Sequence, residues 1–75
     1  MKKGPRKLAD LEVIGSRIRE LRGEMLQEEL AAYLGISQGQ LSKIERGKLG
    51  PPVEVLLRLA EKFGKSTDWM LTGKI

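Results

Sequence analysis

Apolar residues recur every three or four positions along most of this chain, the spacing that places side chains on one face of an α-helix. The segments with this spacing are residues 10–22, 27–34, 38–46, 53–63 and 67–71. Asp10, Ser37 and Ser66 stand at the start of three of them, where a side-chain oxygen can accept an otherwise unpaired backbone N–H. The pattern predicts an all-α fold of five short helices around one core.

The apolar faces of two predicted helices are long enough to define the core. The first helix carries Ile14, Ile18 and Leu21 on one stripe. For the fourth helix we expect a core face that consists of Val53, Leu56, Leu59, Ala60 and Phe63, with Leu57 beside it.

The second and third predicted helices are separated by only a few residues, and this part of the chain, residues 27–46, organises the rest. Gly35 can adopt the positive φ that lets the chain turn sharply after a helix. Ser37 then caps the next helix, and the small Ala31 lets the two helices pack closely. The segment therefore predicts a helix-turn-helix.

Composition narrows the possible functions. The 75 residues suffice for one small domain, and they include no cysteine and no histidine. A thiolate metal site is therefore excluded, and the commonest general base is missing. Ser37 and Ser42 have no histidine to activate them, and the carboxylates are scattered along helix surfaces. We expect no enzyme, no bound metal and no cofactor.

Positive charge is concentrated at the N-terminus. The chain has a net charge of +4, of which residues 1–10 contribute +3 with four basic residues and one acidic residue. We interpret residues 1–9 as a flexible basic tail and residues 10–75 as the domain. The tail could follow a nucleic-acid backbone or could simply aid solubility. Asp10 and Glu12 interrupt any apolar run, so we expect no signal peptide, no membrane span and a cytoplasmic protein.

Three motifs occur in order: Leu-Gly-Ile-Ser at 34–37, Leu-Ser-Lys-Ile-Glu-Arg-Gly at 41–47, and Asp-Trp at 68–69. With this spacing, residues 13–73 resemble the lambda-repressor-like (Cro/XRE-type) helix-turn-helix family of bacterial and phage transcription regulators. The resemblance implies that the third helix lies in the major groove of double-stranded DNA. It also implies that the second helix crosses the DNA backbone.

Leu41 and Ile44 must face inward, so the opposite face of the third helix is polar and exposed. The resemblance implies a base-reading set that consists of Gln38, Gly39 and Lys43, with Ser42 beside them. A glutamine amide can pair with adenine, a lysine can donate to guanine, and a glycine can only permit close approach. The expected contacts to the DNA backbone are Gln27, Gln40, Arg46, Lys48 and Gly50.

Two further residue sets have structural roles in this interpretation. The resemblance pairs Arg22 with Glu45 in an ion pair that links the first and third helices, although two separate surface charges remain an alternative. Any dimer contact must come from the fourth and fifth helices. The candidates there are Val53, Leu57, Trp69, Met70, Leu71 and Ile75, and we expect Trp69 to belong to the core or to the edge of a dimer contact and not to stack on bases.

These observations predict a sequence-specific DNA-binding transcription regulator that acts as a repressor. We expect a homodimer on a pseudo-palindromic operator, without a small-molecule ligand. One alternative is an antitoxin or restriction-controller regulator with a protein partner. The other is a protein-interaction module that has lost DNA binding, which the nearly neutral charge of residues 11–75 and the bare Gly39 allow.

Overall fold

The computed structural model describes Gly4 and residues 8–74, and it contains five α-helices in this part of the chain. Their bounds are α1 Leu11–Arg22, α2 Gln27–Leu34, α3 Gln38–Glu45, α4 Val53–Phe63 and α5 Thr67–Thr72. The described residues form no strand. The all-α fold of five short helices is therefore confirmed. Most of the predicted tail and Ile75 lie outside the described residues.

Side-chain caps begin the helices at the predicted serine and aspartate positions. The Asp10 carboxylate accepts from the backbone N–H groups of Glu12 and Val13, at 3.1 and 3.3 Å. Ser37 Oγ accepts from the backbone N–H of Gln40 at 3.0 Å, and Gln40 Oε1 accepts in return from the Ser37 N–H at 2.9 Å. This reciprocal capping box fixes the direction in which α3 starts.

The turn between α2 and α3 depends on Gly35, which has φ 75° and ψ 26°. The Gly35 N–H donates to the Ala32 carbonyl at 3.2 Å, and the Ile36 N–H donates to the Ala31 carbonyl at 3.0 Å. These two bonds form a Schellman motif, which satisfies the last carbonyls of α2. The predicted helix-turn-helix is therefore present.

Every helix contributes to the core. The buried apolar residues are Ile14, Ile18, Leu30, Ala31, Leu34, Leu41, Ile44, Val55, Leu56, Leu59 and Met70. Arg17 of α1 also fastens the last helix, because its Nη1 donates to the Met70 carbonyl at 3.2 Å. The short α5 is thus held by an apolar side chain and by a hydrogen bond to its backbone.

The prediction that Val53 belongs to the core face of α4 is wrong. Val53 is 72% exposed, whereas Val55 is only 2% exposed. At 100° per residue, Val53 points roughly 110° away from the mean direction of the buried Val55, Leu56 and Leu59. The core side of α4 is therefore rotated relative to the predicted face.

Gly15 allows α1 and α3 to touch backbone to backbone. A Cβ at this position would collide with the Ile44 carbonyl oxygen and would lie 2.5 Å from the Glu45 carbonyl oxygen. Gly47 makes a similar contact, since a Cβ there would lie 2.7 Å from Glu12 Cα. Both ends of the α1–α3 contact thus depend on the absence of a side chain.

Candidate nucleic-acid interface

The outer face of α3 is polar and free of core contacts. Leu41 and Ile44 are 0% and 1% exposed, so they anchor the inner face. The residues with exposed side chains or backbone on the opposite face are Gln38, Gly39, Lys43 and Arg46, and Ser42 between them is half-buried. The four predicted base-reading positions therefore lie on one helix face.

Two members of this face, Ser42 and Arg46, are hydrogen-bonded to each other at the end of α3. Arg46 Nε donates to Ser42 Oγ at 3.3 Å, so these two side chains are coupled. Gln40 Oε1 accepts from the Ser37 N–H, which holds this side chain against the start of α3 with its Nε2 group available as a donor. A Cβ on Gly39 would approach no described atom other than Ser37 Oγ, at 3.8 Å, so this position is open.

The loop after α3 is fixed close to the end of that helix. The backbone N–H of Lys48 donates to the Lys43 carbonyl at 2.8 Å. Lys48 and Gly50 are both exposed, and Gly50 packs beside Leu11 of α1. The structure therefore places two of the predicted backbone contacts on an exposed loop next to α3.

Helix α2 begins at Gln27 without a conventional cap. Leu26 precedes it and has no side-chain oxygen, so no side chain accepts from the first N–H groups of α2. The reverse bond does form, because Glu29 Oε1 accepts from the Leu26 N–H at 3.2 Å. The first backbone donors of α2 are thus free of side-chain partners, and Glu28 and Glu29 place two carboxylates in the same turn.

Arg22, Gln27 and Glu45 form a group that we call the polar clamp. Arg22 Nε and Nη2 donate to the two Glu45 oxygens at 2.7 and 3.0 Å. Gln27 Nε2 donates to Glu45 Oε1 at 2.9 Å, and Arg22 Nη1 donates to the Met25 carbonyl at 2.8 Å. The clamp joins α1, α2, α3 and the link between α1 and α2. The predicted pairing of Arg22 with Glu45 is therefore seen as a direct, bidentate contact.

The clamp is largely shielded from water. The Glu45 side chain is 3% exposed and the Arg22 side chain is 15% exposed. The hydrogen bond to Glu45 raises the pKa of Arg22 above its ordinary value, the attraction of the carboxylate adds to this, and burial opposes it. Because the pKa is raised, the contribution of Arg22's own charge to stability is fully present below the ordinary pKa of arginine and is lost only as the pH rises above it.

A further hydrogen bond connects the polar clamp to the exposed face of α3. Gln38 Nε2 donates to Gln27 Oε1 at 3.4 Å. Sequence reasoning placed Gln27 at the DNA backbone and Gln38 at the bases, but it missed this link between them. The sequence offers one signal for this link, which is that each glutamine is the first residue of its helix.

The predicted dimer contacts differ in exposure. Val53 and Leu57 are 72% and 55% exposed and lie one helical turn apart on α4. Trp69 and Leu71 are half-buried on α5. Met70 is 0% exposed, so its side chain belongs to the core and we withdraw it as a contact residue.

Neither a metal-binding cluster nor a membrane-spanning helix occurs within Gly4 and residues 8–74. No group of three or more histidine, cysteine, aspartate or glutamate residues there could hold a metal ion. No helix in the same part of the chain is long and apolar enough to cross a membrane.

Comparison with known proteins identifies the family. The sequence model of the helix-turn-helix family matches residues 17–70. The uncharacterized HTH-type transcriptional regulator y4dJ of Sinorhizobium fredii is 42% identical over 62 residues, which cover 80% of each chain. The chain therefore belongs to the lambda-repressor-like (Cro/XRE-type) helix-turn-helix family of DNA-binding transcription regulators. The predictions of family and of a DNA-binding regulator are confirmed.

Two solved structures and a further sequence relative agree with this family assignment. The P22 c2 repressor, in complex with a synthetic operator, superposes with a TM-score of 0.76 at 33% identity, covering 83% of this chain and 97% of that one. The restriction-modification controller protein C.AhdI of Aeromonas hydrophila gives a TM-score of 0.72 at 30% identity with the same coverage. The regulator ImmR of Bacillus subtilis is 35% identical over 60 residues, which are 77% of this chain but 47% of that protein.

Proposed function

We propose that this protein is a sequence-specific repressor that inserts α3 into the major groove of an operator. The observation that carries the proposal is the geometry of α3. Its inner face is held by Leu41, Ile44 and the polar clamp, while Gln38, Gly39 and Lys43 project from the opposite face. In this proposal the protein acts in the cytoplasm, catalyses no reaction and needs no cofactor.

The residues divide into two kinds of DNA contact. Gln38 can pair with adenine and Lys43 can donate to guanine, while Gly39 lets the helix approach the bases. Arg46 and Lys48 supply positive charge beside the groove, and the uncapped start of α2 at Gln27 supplies backbone donors for a phosphate. The second kind of contact fixes register and affinity and carries no base information.

We further propose that the protein binds as a homodimer through α4 and α5. The exposed Val53 and Leu57 form an apolar strip on α4, and an isologous contact would cover the strip on both protomers at once. A single small module buries only about 600–1,000 Å² on DNA, which favours pairing. Sedimentation tests this proposal. We expect the wild type to sediment as a dimer and Leu57→Glu to sediment as a monomer. A monomeric wild type, alone and on DNA, would contradict the dimer.

Selection from a random duplex pool tests the function as a whole. We expect a pseudo-palindrome with half-sites about one helical turn apart. If each protomer of a dimer uses Arg46 and Lys48 on phosphates, the slope of log K against log salt should be about −4. No binding at low salt would leave the protein-interaction module as the remaining alternative.

The same salt titration tests the basic tail. Each additional cation that contacts a phosphate steepens the slope by about 0.9. If residues 1–9 act as an arm, the slope measured for the full chain should be steeper than about −4. Deletion of these residues should then return the slope to about −4. An unchanged slope and affinity after deletion would assign the tail to solubility alone.

Replacement of Lys43 tests base reading by α3. Lys43→Ala should weaken operator binding by about 1–3 kcal/mol and relax the preference at one base position. Lys62→Ala on α4 removes the same charge away from α3 and serves as the control. A uniform loss over all sequences would instead make Lys43 a phosphate contact.

A restriction-controller role is the second candidate, and the similarity to C.AhdI favours it. It uses the same DNA-binding surface but restricts the targets. Mapping the selected operator onto the source genome tests it. A match upstream of restriction-modification genes supports this role, whereas matches only at unrelated promoters contradict it.

A further inference from the structure

The last helix of the domain is attached to α1 through the Arg17 side chain. Arg17 Nη1 donates to the Met70 carbonyl at 3.2 Å. The backbone leaves this carbonyl to Arg17, because the N–H of Lys74, four residues further on, donates to Thr72 Oγ1 at 3.2 Å. A cation is also favoured at the C-terminal end of a helix, where the helix dipole is negative. Arg17 therefore completes the end of α5 from outside that helix.

Gly73 leaves room for the Arg17 guanidinium at the end of α5. A Cβ on Gly73 would lie 2.7 Å from Arg17 Nη2 and 3.2 Å from Arg17 Cζ, which is too close for a side chain at this position. Gly73 also ends the helix in the left-handed conformation, with φ 79°. The absence of a side chain at residue 73 thus allows both the helix end and the contact with Arg17.

The contact with Arg17 fixes the part of α5 that carries two predicted dimer contacts. Met70 is the one buried residue of α5, and Arg17 bonds the backbone of the same residue. Trp69 and Leu71 lie on either side of Met70 and are half-buried. Because Arg17 holds the backbone between them, it determines how these two side chains stand relative to α1.

The helix that carries Arg17 is in turn fixed against α3. Gly15 lies two residues before Arg17 and lets α1 touch the backbone of α3 at Ile44 and Glu45. The polar clamp joins α1 to α3 a second time, through Arg22 and Glu45. Helices α1 and α3 are therefore held as one unit, and any displacement of α5 from α1 is also a displacement from the proposed DNA-reading helix.

We infer that Arg17 is a positioning residue that sets the spacing between operator half-sites. The inference rests on the proposed function, because it requires a homodimer in which α5 contributes to the contact. In such a dimer the separation of the two α3 helices depends on where α5 stands in each protomer. One additional base pair moves the half-sites apart by about 3.4 Å and turns one against the other by about 35°. A dimer with a fixed α5 therefore favours one spacing.

The test varies the spacing and keeps the half-sites constant. The selected half-site is built into inverted repeats with the preferred spacer and with spacers one base pair longer or shorter. Wild-type binding should fall about tenfold or more when the spacer changes, because the DNA must then be twisted or bent to fit. A wild-type dimer that binds all three spacings equally would overturn the inference.

Arg17→Met removes the donor and the charge and keeps the apolar part of the side chain. We expect the discrimination between spacers to fall by roughly three- to tenfold, because α5 is no longer bonded to α1. Arg19→Met removes the same charge from an exposed position of α1 and should leave the discrimination unchanged. The base preference within each half-site should stay the same in both variants, a result that general loosening of the domain would not give.

Gly73→Ala and Gly64→Ala form a second matched pair. Both glycines end a helix in the left-handed conformation, with φ 79° and 67°, so alanine introduces similar backbone strain at either position. A Cβ at residue 64 would meet nothing within 4 Å, whereas a Cβ at residue 73 would push Arg17 away from the Met70 carbonyl. We expect only Gly73→Ala to relax the spacing. Equal discrimination by the two glycine variants would contradict the role of Arg17.

A measurement on the wild type does not depend on how the variants fold. The side-chain protons of Arg17 and the Hα protons of Gly73 should show a nuclear Overhauser effect, and its absence would overturn the inference.

Sedimentation on DNA separates this inference from the proposed function. A wild type that is monomeric on DNA contradicts the proposed homodimer itself. If the wild type is a dimer and Arg17→Met keeps the full discrimination between spacers, the homodimer stands and the role of Arg17 is wrong. If Arg17→Met no longer dimerises, Arg17 supports assembly and not spacing, and the inference is also wrong.

Discussion

Two ion pairs in this protein join the same chemical groups in different surroundings. Arg22 Nε lies 2.7 Å from Glu45 Oε2, and Arg58 Nε lies 3.2 Å from Glu54 Oε2. The side chains of the first pair are 15% and 3% exposed, whereas those of the second are 46% and 68% exposed. The charged groups of the first pair have lost most of their hydration, so each depends on the other to replace it. The groups of the second pair are still solvated by water.

The two pairs also differ in what they connect. The exposed pair lies one turn apart within α4, so it supports a helix that its apolar face already holds in place. The buried pair joins α1 to the end of α3, and Gln27 adds α2 to it. The polar clamp therefore determines how the proposed DNA-reading helix is held, and the α4 pair has no such role.

The largest effect should follow from replacing the arginine of the buried pair. Arg22→Gln leaves Glu45, the more buried partner, without its cation. We expect the free energy of unfolding to fall by about 3–5 kcal/mol. A domain of this size has a total stability of only about 4–11 kcal/mol, so urea denaturation should show a protein near the limit of folding.

A double substitution shows whether the stranded charge is the cause. Arg22→Met combined with Glu45→Leu removes both charges, and replacing a buried pair by apolar groups is often nearly neutral. We expect the double variant to be more stable than Arg22→Gln. Equal instability of the two variants would mean that the clamp is held by packing and not by charge.

The sequence predicts the helices that carry the two ion pairs well, because the features that determine a helix are local. Apolar spacing, serine and aspartate caps and Gly35 act within a few residues, and the five helices follow from them. The bidentate contact of Arg22 with Glu45 was anticipated only through the family resemblance, since nothing local joins residues 23 positions apart.

The features that the sequence did not predict depend on how helices pack. The rotation of α4 exposes Val53 and buries Val55, and it is decided by contacts with other helices and not by the apolar spacing of α4 alone. The link from Gln27 to Glu45 and Gln38 requires the ends of two helices to meet. Gly15 gave a signal that could have been used, since a glycine inside a helix costs about 1 kcal/mol relative to alanine and needs a reason.

The next effect in size comes from the backbone contact beside the clamp. In Gly15→Ala the new Cβ would meet the carbonyl oxygens of Ile44 and Glu45, which cannot move without separating α3 from α1. We expect a loss of about 1–3 kcal/mol in thermal or urea unfolding.

Gly39→Ala is the matched control, because the same methyl group there enters open space. It should raise stability by roughly 0.5–1 kcal/mol, since alanine is the better helix former. It should also weaken operator binding if Gly39 allows the close approach to DNA. A neutral Gly15→Ala would contradict the close packing of α1 on α3.

The smallest effect should come from the exposed pair, and it completes the comparison. Arg58→Gln should lower the free energy of unfolding by no more than about 0.5 kcal/mol, because water already solvates both side chains. Raising the salt concentration to 1 M shortens the screening length to about 3 Å, so the difference between Arg58→Gln and the wild type should then vanish. The effect of Arg22→Gln should persist at the same salt concentration, because the Glu45 side chain is almost inaccessible to ions. Equal salt dependence of the two variants would contradict the distinction between a buried clamp and a surface pair.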